Sequence, residues 1–211
     1  MLKVNEIYYS IQGESTHVGR PCIFIRLTEC HLRCTYCDTE YAFYEGDDRS
    51  LDQILDQIAA FPCQLVEITG GEPLLQDGVY RLMTVLLEKG YEVLLETSGS
   101  LPINRVPREV RKIVDFKTPS SGMMKHNDYL LVQDLAPWDE IKFVVSGRPD
   151  FDWILERVSA LNLTRWTVLV SPVFGEQDPA ELAGWVAESG IPVRFQLQLH
   201  KILWPHSDRG V

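Results

Sequence analysis

The sequence has little positive charge to spare. Against 30 acidic residues it carries 20 Lys and Arg, a formal net charge of -10 at pH 7, with no basic run long enough to reverse that sign locally. This removes any general electrostatic field for nucleic acid or an anionic membrane. Long hydrophobic runs are also missing: none approaches the roughly 20 apolar residues of a membrane span. The opening MLKVNEIYYS places acid and polar groups where a signal peptide is greasy. The expectation is a cytoplasmic protein with no nucleic-acid or membrane partner. Cysteine is scarce, five in 211 residues, and an odd set in a reducing compartment points to metal or redox chemistry rather than a disulfide framework. Repeats and low-complexity segments are lacking. At this length, with 45% hydrophobic residues, one domain over residues 1–211 around one core is expected.

What the sequence does hold is alternation between short strand-like runs and amphipathic helices, the pattern of a mainly parallel sheet with crossover helices. About seven strands are expected: CIFIRLT (Cys22 to Thr28), QLVEIT (Gln64 to Thr69), EVLLET (Glu92 to Thr97), KIVDFK (Lys112 to Lys117), EIKFVVS, RWTVLVS and VRFQLQLH. Ser50 and Gln53 have capping-box spacing ahead of LDQILDQIAAF, and Asp178, Pro179 and Glu181 supply an N-cap, a first-turn proline and a first-turn acid. Gly90 and Gly190 stand where helices stop. Pro102 to Val110 and SSGMMKHND lack a period and read as loops. Polar residues recur at the strand ends: Arg26, Thr69, Thr97 with Ser98, Lys117, Ser146, Ser171 and His200. A single one only marks where a strand stops. Their recurrence points to a shared site, because that edge carries the ligand in α/β barrels and open parallel sheets.

Three of the five cysteines crowd into CHLRCTYC, as Cys30, Cys34 and Cys37, directly after the first of these strands. A structural zinc site normally takes four protein ligands in two separated pairs, and no second pair is evident. Cys22 and Cys63 lie in apolar context, where cysteine behaves as a small buried hydrophobe. Three thiolates suit an iron-sulfur cluster with one iron left open for a substrate or cofactor better than they suit zinc. A glycine pair, Gly70 and Gly71 in TGGEP (Thr69 to Pro73), follows the second strand. It permits close approach of backbone to a ligand, and equally a tight strand-to-helix turn.

The C-x3-C-x2-C spacing, with Tyr36 before the last cysteine and TGGEP in order after it, resembles the signature of radical S-adenosylmethionine (SAM) enzymes. That resemblance implies a 4Fe-4S cluster on Cys30, Cys34 and Cys37, with SAM chelated at the open iron, and a compact, incomplete (β/α) barrel. Within the superfamily, IYYSIQGES (Ile7 to Ser15), the CDT after the cluster loop and QLHK near the end resemble the 7-carboxy-7-deazaguanine synthase family over nearly the whole chain. The resemblance implies magnesium-dependent conversion of 6-carboxy-5,6,7,8-tetrahydropterin to 7-carboxy-7-deazaguanine with loss of ammonia, in queuosine or related deazapurine biosynthesis. SAM would be the radical source, a flavodoxin- or ferredoxin-type protein the reductant, and the assembly a homodimer. By motif, Gln12, Gly13, Glu14, Arg26, Thr69 and His200 would contact the pterin. Tyr36, Cys37, Asp38, Gly71, Ser98, Lys117 and Ser171 would contact SAM, and Thr39 would ligate magnesium. One cluster is implied, since no further cysteine set is present.

Physical chemistry supports some of these roles independently. A pterin donates from an amidine-like edge, which suits Glu14 beside Gln12, although SIQGES also reads as a polar turn. Arg26 has the geometry to hold a carboxylate bidentately, or else pairs internally with Glu29. Thr39 alone reads as a capping hydroxyl. His17, His31, His126 and His206 show no paired metal-ligand spacing. Met123 and Met124 fall in a loop, Trp138, Trp153, Trp166 and Trp185 read as core or interface, and Trp204 could cover the site. A glycyl-radical activase would share the cysteines and GGEP, and a zinc or electron-transfer module would share the cysteines alone. Anaerobically purified protein should hold about four iron and four sulfide per chain. Replacing Cys30, Cys34 or Cys37 by Ala should abolish reductive SAM cleavage while Cys63→Ala spares it; stoichiometric zinc without sulfide, or equal loss at Cys63, contradicts this.

Overall fold

The computed structural model describes residues 1–207 and 209–211. Its strands are β1 (Leu2–Ile11), β2 (Pro21–Leu27), β3 (Asp47–Arg49), β4 (Leu65–Gly70), β5 (Glu92–Thr97), β6 (Arg111–Asp115), β7 (Glu140–Val145), β8 (Thr167–Pro172) and β9 (Arg194–Phe195). The helices are α1 (Leu51–Ile58), α2 (Gly78–Glu88), α3 (Arg148–Ala160), α4 (Pro179–Ser189) and α5 (Leu199–Leu203). One sheet runs in the order β3-β1-β2-β4-β5-β6-β7-β8-β9. From β2 across to β9 every pairing is parallel, while β1 lies antiparallel to β2 and β3 antiparallel to β1. No pairing joins β3 to β9 among the described residues, so the sheet is an incomplete barrel, the architecture the sequence implies.

Six of the seven expected strands match within two or three residues at either end. The seventh does not: VRFQLQLH yields only the two-residue β9, and its second half turns into α5. The expectation also omitted β1, whose LKVNEIYYSI mixes polar and apolar residues too evenly to read as a buried strand. The capping box at α1 is formed, with Ser50 Oγ accepting from Gln53 N at 3.2 Å and Gln53 Oε1 accepting from Ser50 N at 2.8 Å. Asp178 caps α4, and Gly190 ends it at φ 66°. Residues 102–110 and 120–128 contain no strand or α-helix, and the second stretch is broken into short 3-10 turns.

Strand alternation divides the sheet into two chemically different faces. The outward set Ile23, Ile25, Leu27, Val66, Ile68, Val93, Leu95, Ile141, Phe143 and Val145 packs with Ile54, Ile58, Val79, Leu82, Ile154 and Val158 of α1, α2 and α3 in the main core. Each fully buried aliphatic side chain there contributes roughly 1.5–3 kcal/mol. The inward face begins with a small apolar layer of Cys22, Phe24, Leu65, Leu94 and Ile113. Two residues further along the same strands come Arg26, Glu67, Glu96 and Asp115, with Lys142 beside them on β7. The inside of the barrel therefore has an oily base and a charged upper layer. Cys22 belongs to that base, which accounts for its thiol being pushed far up by burial. Ser50→Ala should destabilise the protein by about 1 kcal/mol through loss of the α1 cap, read as a lower urea midpoint at unchanged slope; an unchanged midpoint would contradict the role of the cap.

Candidate active site

The charged layer opens into a cavity of about 510 Å³ at the C-terminal edge of the strands. Cys30, Cys34 and Cys37 all line it, each half-buried and free of any disulfide. Their loop is held by backbone contacts. Thr35 N and Oγ1 donate to Ser121 O and Ser120 O at 3.1 and 2.8 Å, and Arg33 Nη1 donates to Cys30 O at 2.7 Å while its guanidinium stacks 4.1 Å over Phe43. Gly71 lies against the loop from the other side. A Cβ there would meet Glu29 O at 2.0 Å, so only glycine lets this turn pass the cysteine loop. Next to it, buried Glu72 gathers Thr97 Oγ1, Ser98 N and Ser98 Oγ, so the hydroxyl of Ser98 is engaged in holding this turn.

Burial pushes all three thiols up, Cys34 to about 11, while the Lys117 ammonium opposes that shift. Burial works against Lys117 too, yet Asp115, Cys34 and Tyr36 outweigh it and hold the lysine protonated. Its Nζ stands 2.9 Å from Asp115 Oδ2. Asp115 Oδ1 is buried with no hydrogen-bond partner among the described residues, an acceptor fit for a ligand donor. Tyr36, pushed up to about 12 chiefly by burial, hydrogen-bonds Thr118 Oγ1 at 3.2 Å.

On the far side of the cavity Lys142 Nζ bonds to Glu14 Oε2 and, at 2.6 Å, to Glu96 Oε1. Burial opposes the Lys142 charge, but Glu14, Glu96 and Asp115 keep it protonated. Glu96 also accepts from Thr69 Oγ1 at 3.0 Å; although burial pushes its carboxyl up, Lys142 outweighs that and holds it low. Glu67 behaves oppositely. Burial first, then the charges of Glu96 and Glu14, drive its carboxyl well above the usual range, and Gln12 Nε2 donates to it. Gln12 Oε1 in turn accepts from Glu14 N at 3.1 Å, and Gln198 Nε2 donates to Glu14 Oε1 at 2.7 Å. A Cβ on Gly13 would meet His200 Nδ1 at 2.1 Å, so a glycine is what allows α5 to close onto this segment.

All but one of the anticipated residues line this cavity: Gln12, Gly13, Glu14, Arg26, Cys30, Cys34, Tyr36, Cys37, Asp38, Thr39, Thr69, Gly71, Ser98, Lys117 and His200. Ser171 does not. It is wholly buried, its Oγ makes no hydrogen bond among the described residues, and the wall at that strand is formed by Val173 and Phe174 instead. Arg26 pairs with Glu6 rather than Glu29, through Nε to Oε1 at 2.8 Å, and donates to Tyr8 OH at 2.7 Å. Thr39 does not cap; its hydroxyl donates to Asp38 Oδ1 at 2.8 Å, and Asp38 Oδ2 meets Lys201 Nζ at 2.5 Å. Trp204 lines a separate recess with Tyr9 and Ile11. Sequence reading missed Glu67, Glu96, Asp115, Lys142 and Gln198. The available signal was a charged residue at an inward position within an otherwise apolar strand, as in LVEITG and EIKFVV.

Known proteins share both sequence and fold with this chain. The radical SAM superfamily profile covers residues 25–186. A 7-carboxy-7-deazaguanine synthase of Chlorobaculum tepidum is 43% identical over 100% of this chain and 97% of its own length. One of Koribacter versatilis is 43% identical over 100% of both chains. The chain belongs to the 7-carboxy-7-deazaguanine synthase family. Within that radical SAM family the fold is also shared with QueE from Escherichia coli, at a TM-score of 0.76 and 25% identity over 94% of both chains. SuiB of Streptococcus suis, 16% identical with a TM-score of 0.58 over 81% of this chain and 48% of its own, shows the common fold alone.

Membership implies a 4Fe-4S cluster and SAM, and the residues present fit both. Three free thiols share one cavity, the other two cysteines are engaged elsewhere, and Asp115 Oδ1 lacks a protein partner within the same wall. Among the described residues no three His, Cys, Asp or Glu side chains converge closely enough to hold a single metal ion. Cys30, Cys34 and Cys37 would serve as thiolate ligands to a cluster, a different requirement from that of a lone ion. Glu67 also yields a pH prediction. Because its native carboxyl is raised, the folded protein keeps a proton that the unfolded chain releases, so stability is lost as pH climbs from the ordinary glutamate range to the raised value. Glu67→Gln removes that loss. In urea titrations at about pH 5 and about pH 8 the variant should gain on the parent at the higher pH; an equal difference at both would show that Glu67 titrates normally.

Proposed function

We propose that the chain is a 7-carboxy-7-deazaguanine synthase that contracts 6-carboxy-5,6,7,8-tetrahydropterin with loss of ammonia. The observation that carries the reading is one cavity walled on one side by the cysteine loop and on the other by Gln12, Glu14 and Arg26. When bound at Cys30, Cys34 and Cys37, the cluster and SAM supply the radical that starts the reaction. The chain's own residues bind and orient. Glu14, an acceptor set between Lys142 and Gln198, faces the amidine-like donor edge of the pterin. Arg26, aimed by Glu6 and Tyr8, takes the substrate carboxylate, and Thr69 and His200 complete that side. Glu67, whose carboxyl burial and the neighbouring Glu96 and Glu14 drive well above the usual range, lines the same wall and accepts from Gln12. The apolar base of Phe24, Leu65, Leu94 and Ile113 keeps water from the floor.

Toward SAM we assign Tyr36, Cys37, Asp38, Gly71, Ser98 and Lys117, and Ser171 only through its neighbours Val173 and Phe174. Magnesium, with its preference for oxygen, fits Thr39 and the substrate with waters completing the shell; the hydroxyl would exchange its bond to Asp38 for the ion. The full reading comprises one catalytic domain over 1–211, a homodimer and a flavodoxin- or ferredoxin-type reductant. It also places the enzyme in the cytoplasm; no helix of the described residues is long and apolar enough to cross a membrane. Product analysis with reduced enzyme, SAM and carboxytetrahydropterin tests the reaction. Arg26→Ala should weaken pterin binding by about 10- to 100-fold, as loss of charged hydrogen bonds predicts, and leave iron content and SAM affinity in place. Lysine should restore part of it, keeping charge without the fork. A variant that binds and converts the pterin like the parent would remove Arg26 from the site.

A further inference from the structure

The segment Gln12–Thr16 leaves β1 on one side of the sheet, and while Gln12 bonds Glu67 of nearby β4, the side chains of Glu14 and Thr16 are anchored on the far strand β7. Strand β7 supplies two of those anchors. Glu140 and Lys142 are two residues apart, so they share the inward face of that strand. Glu140 receives Thr16 N at 3.1 Å on each carboxylate oxygen, and Thr16 Oγ1 as well. Lys142 holds Glu14. A third anchor comes from the end of the chain, where Leu199 N donates to Gly13 O at 2.9 Å and Gln198 holds Glu14 Oε1. Left as a free loop, SIQGES would lose backbone and side-chain entropy each time a ligand ordered it. Anchored at alternate residues to alternate positions of β7, it is ordered before the ligand arrives.

We propose that β7 is a positioning strand for substrate recognition, in which Lys142 and Glu140 hold the Gln12–Thr16 segment across the open side of the sheet and set Glu14 toward the pterin. The inference rests on the synthase reading of the cavity. The two residues act through Glu14 and Thr16, and the cysteine loop is secured by different contacts, to Ser120, Ser121 and Phe43. Loss of the β7 anchors is therefore expected to separate the affinities for the two ligands of the cavity.

The test uses the full chain, reconstituted anaerobically, with SAM and 6-carboxy-5,6,7,8-tetrahydropterin titrated separately. Lys142→Met should raise the pterin Kd on the order of tenfold or more and Thr16→Val by about threefold, while iron content and SAM Kd stay within about twofold of the parent. Lys142→Arg should recover part of the pterin affinity. Should Lys142→Met fail to fold with Glu14 and Glu96 left unpaired, Lys142→Met with Glu96→Gln restores the charge balance and still lacks the Glu14 anchor. Pterin affinity equal to the parent's in that double variant and in Thr16→Val overturns the inference. So does a parallel fall in SAM affinity and iron, which marks Lys142 as merely structural. A parent that binds no pterin defeats the synthase reading and this inference with it, whereas failure in the variants alone defeats only the inference.

Discussion

The Lys142 ammonium stands within hydrogen-bonding reach of Glu14 and Glu96 and 3.9 Å from Asp115. Removing one charge of such a buried group strands the others, and an uncompensated buried charge costs several kcal/mol. The inward layer has several ways of avoiding that outcome. Lys142 neutralises two carboxylates in part, Lys117 neutralises Asp115, and Glu67, which has no ammonium of its own, is driven toward the neutral form. The polar side chains are thus fixed by one another before any ligand is present, and an active site needs that preorganisation.

Close backbone approach does the same for the two loops that meet at the cavity. Gly71 presses on Glu29 O beside Cys30, and Gly13 presses on His200. At both places any side chain would occupy space already taken, so each glycine marks where two segments distant in sequence are brought to van der Waals contact. The first draws the GGEP turn onto the cysteine loop. The second draws α5 onto the segment that carries Glu14, which lets Gln198 reach it.

The cysteine motif, the strand ends and the α1 and α4 caps were legible because their information is local: fixed spacings and residues with specific cap or turn chemistry. β1 was not, because an edge-side strand facing both helix and cavity shows no clean alternation. VRFQLQLH failed for a related reason, since an apolar run of that length fits strand or helix and packing against Gly13 decides in favour of α5. Charged residues inside strands posed the hardest case. Lys112 and Lys142 occupy similar apolar runs, yet Lys112 bonds Asp139 at 3.2 Å and Val110 O at 2.9 Å and serves only the sheet's base. Lys112 alternates with inward Ile113 and Asp115 and so lies on the other face of the sheet from Lys142; which face a lysine in such a run takes depends on strand register, and register is a property of the assembled sheet.

Two kinds of force secure the two sides of the cavity, and they meet at one residue. The cysteine loop hangs mainly on backbone acceptors and a stacked guanidinium, whereas the Glu14 side hangs on buried charges. Asp115 belongs to both, bonded to Lys117 on the thiol side and near Lys142 on the carboxylate side. Signs alternate along the line from Cys34, as thiolate, through Lys117, Asp115 and Lys142 to Glu14. Lys117 opposes the burial penalty on the three thiols, and Lys142 compensates the carboxylates of Glu14 and Glu96 on the other side. The chain can therefore keep a cluster loop and an acidic recognition edge within one buried cavity without the two negative regions driving each other apart.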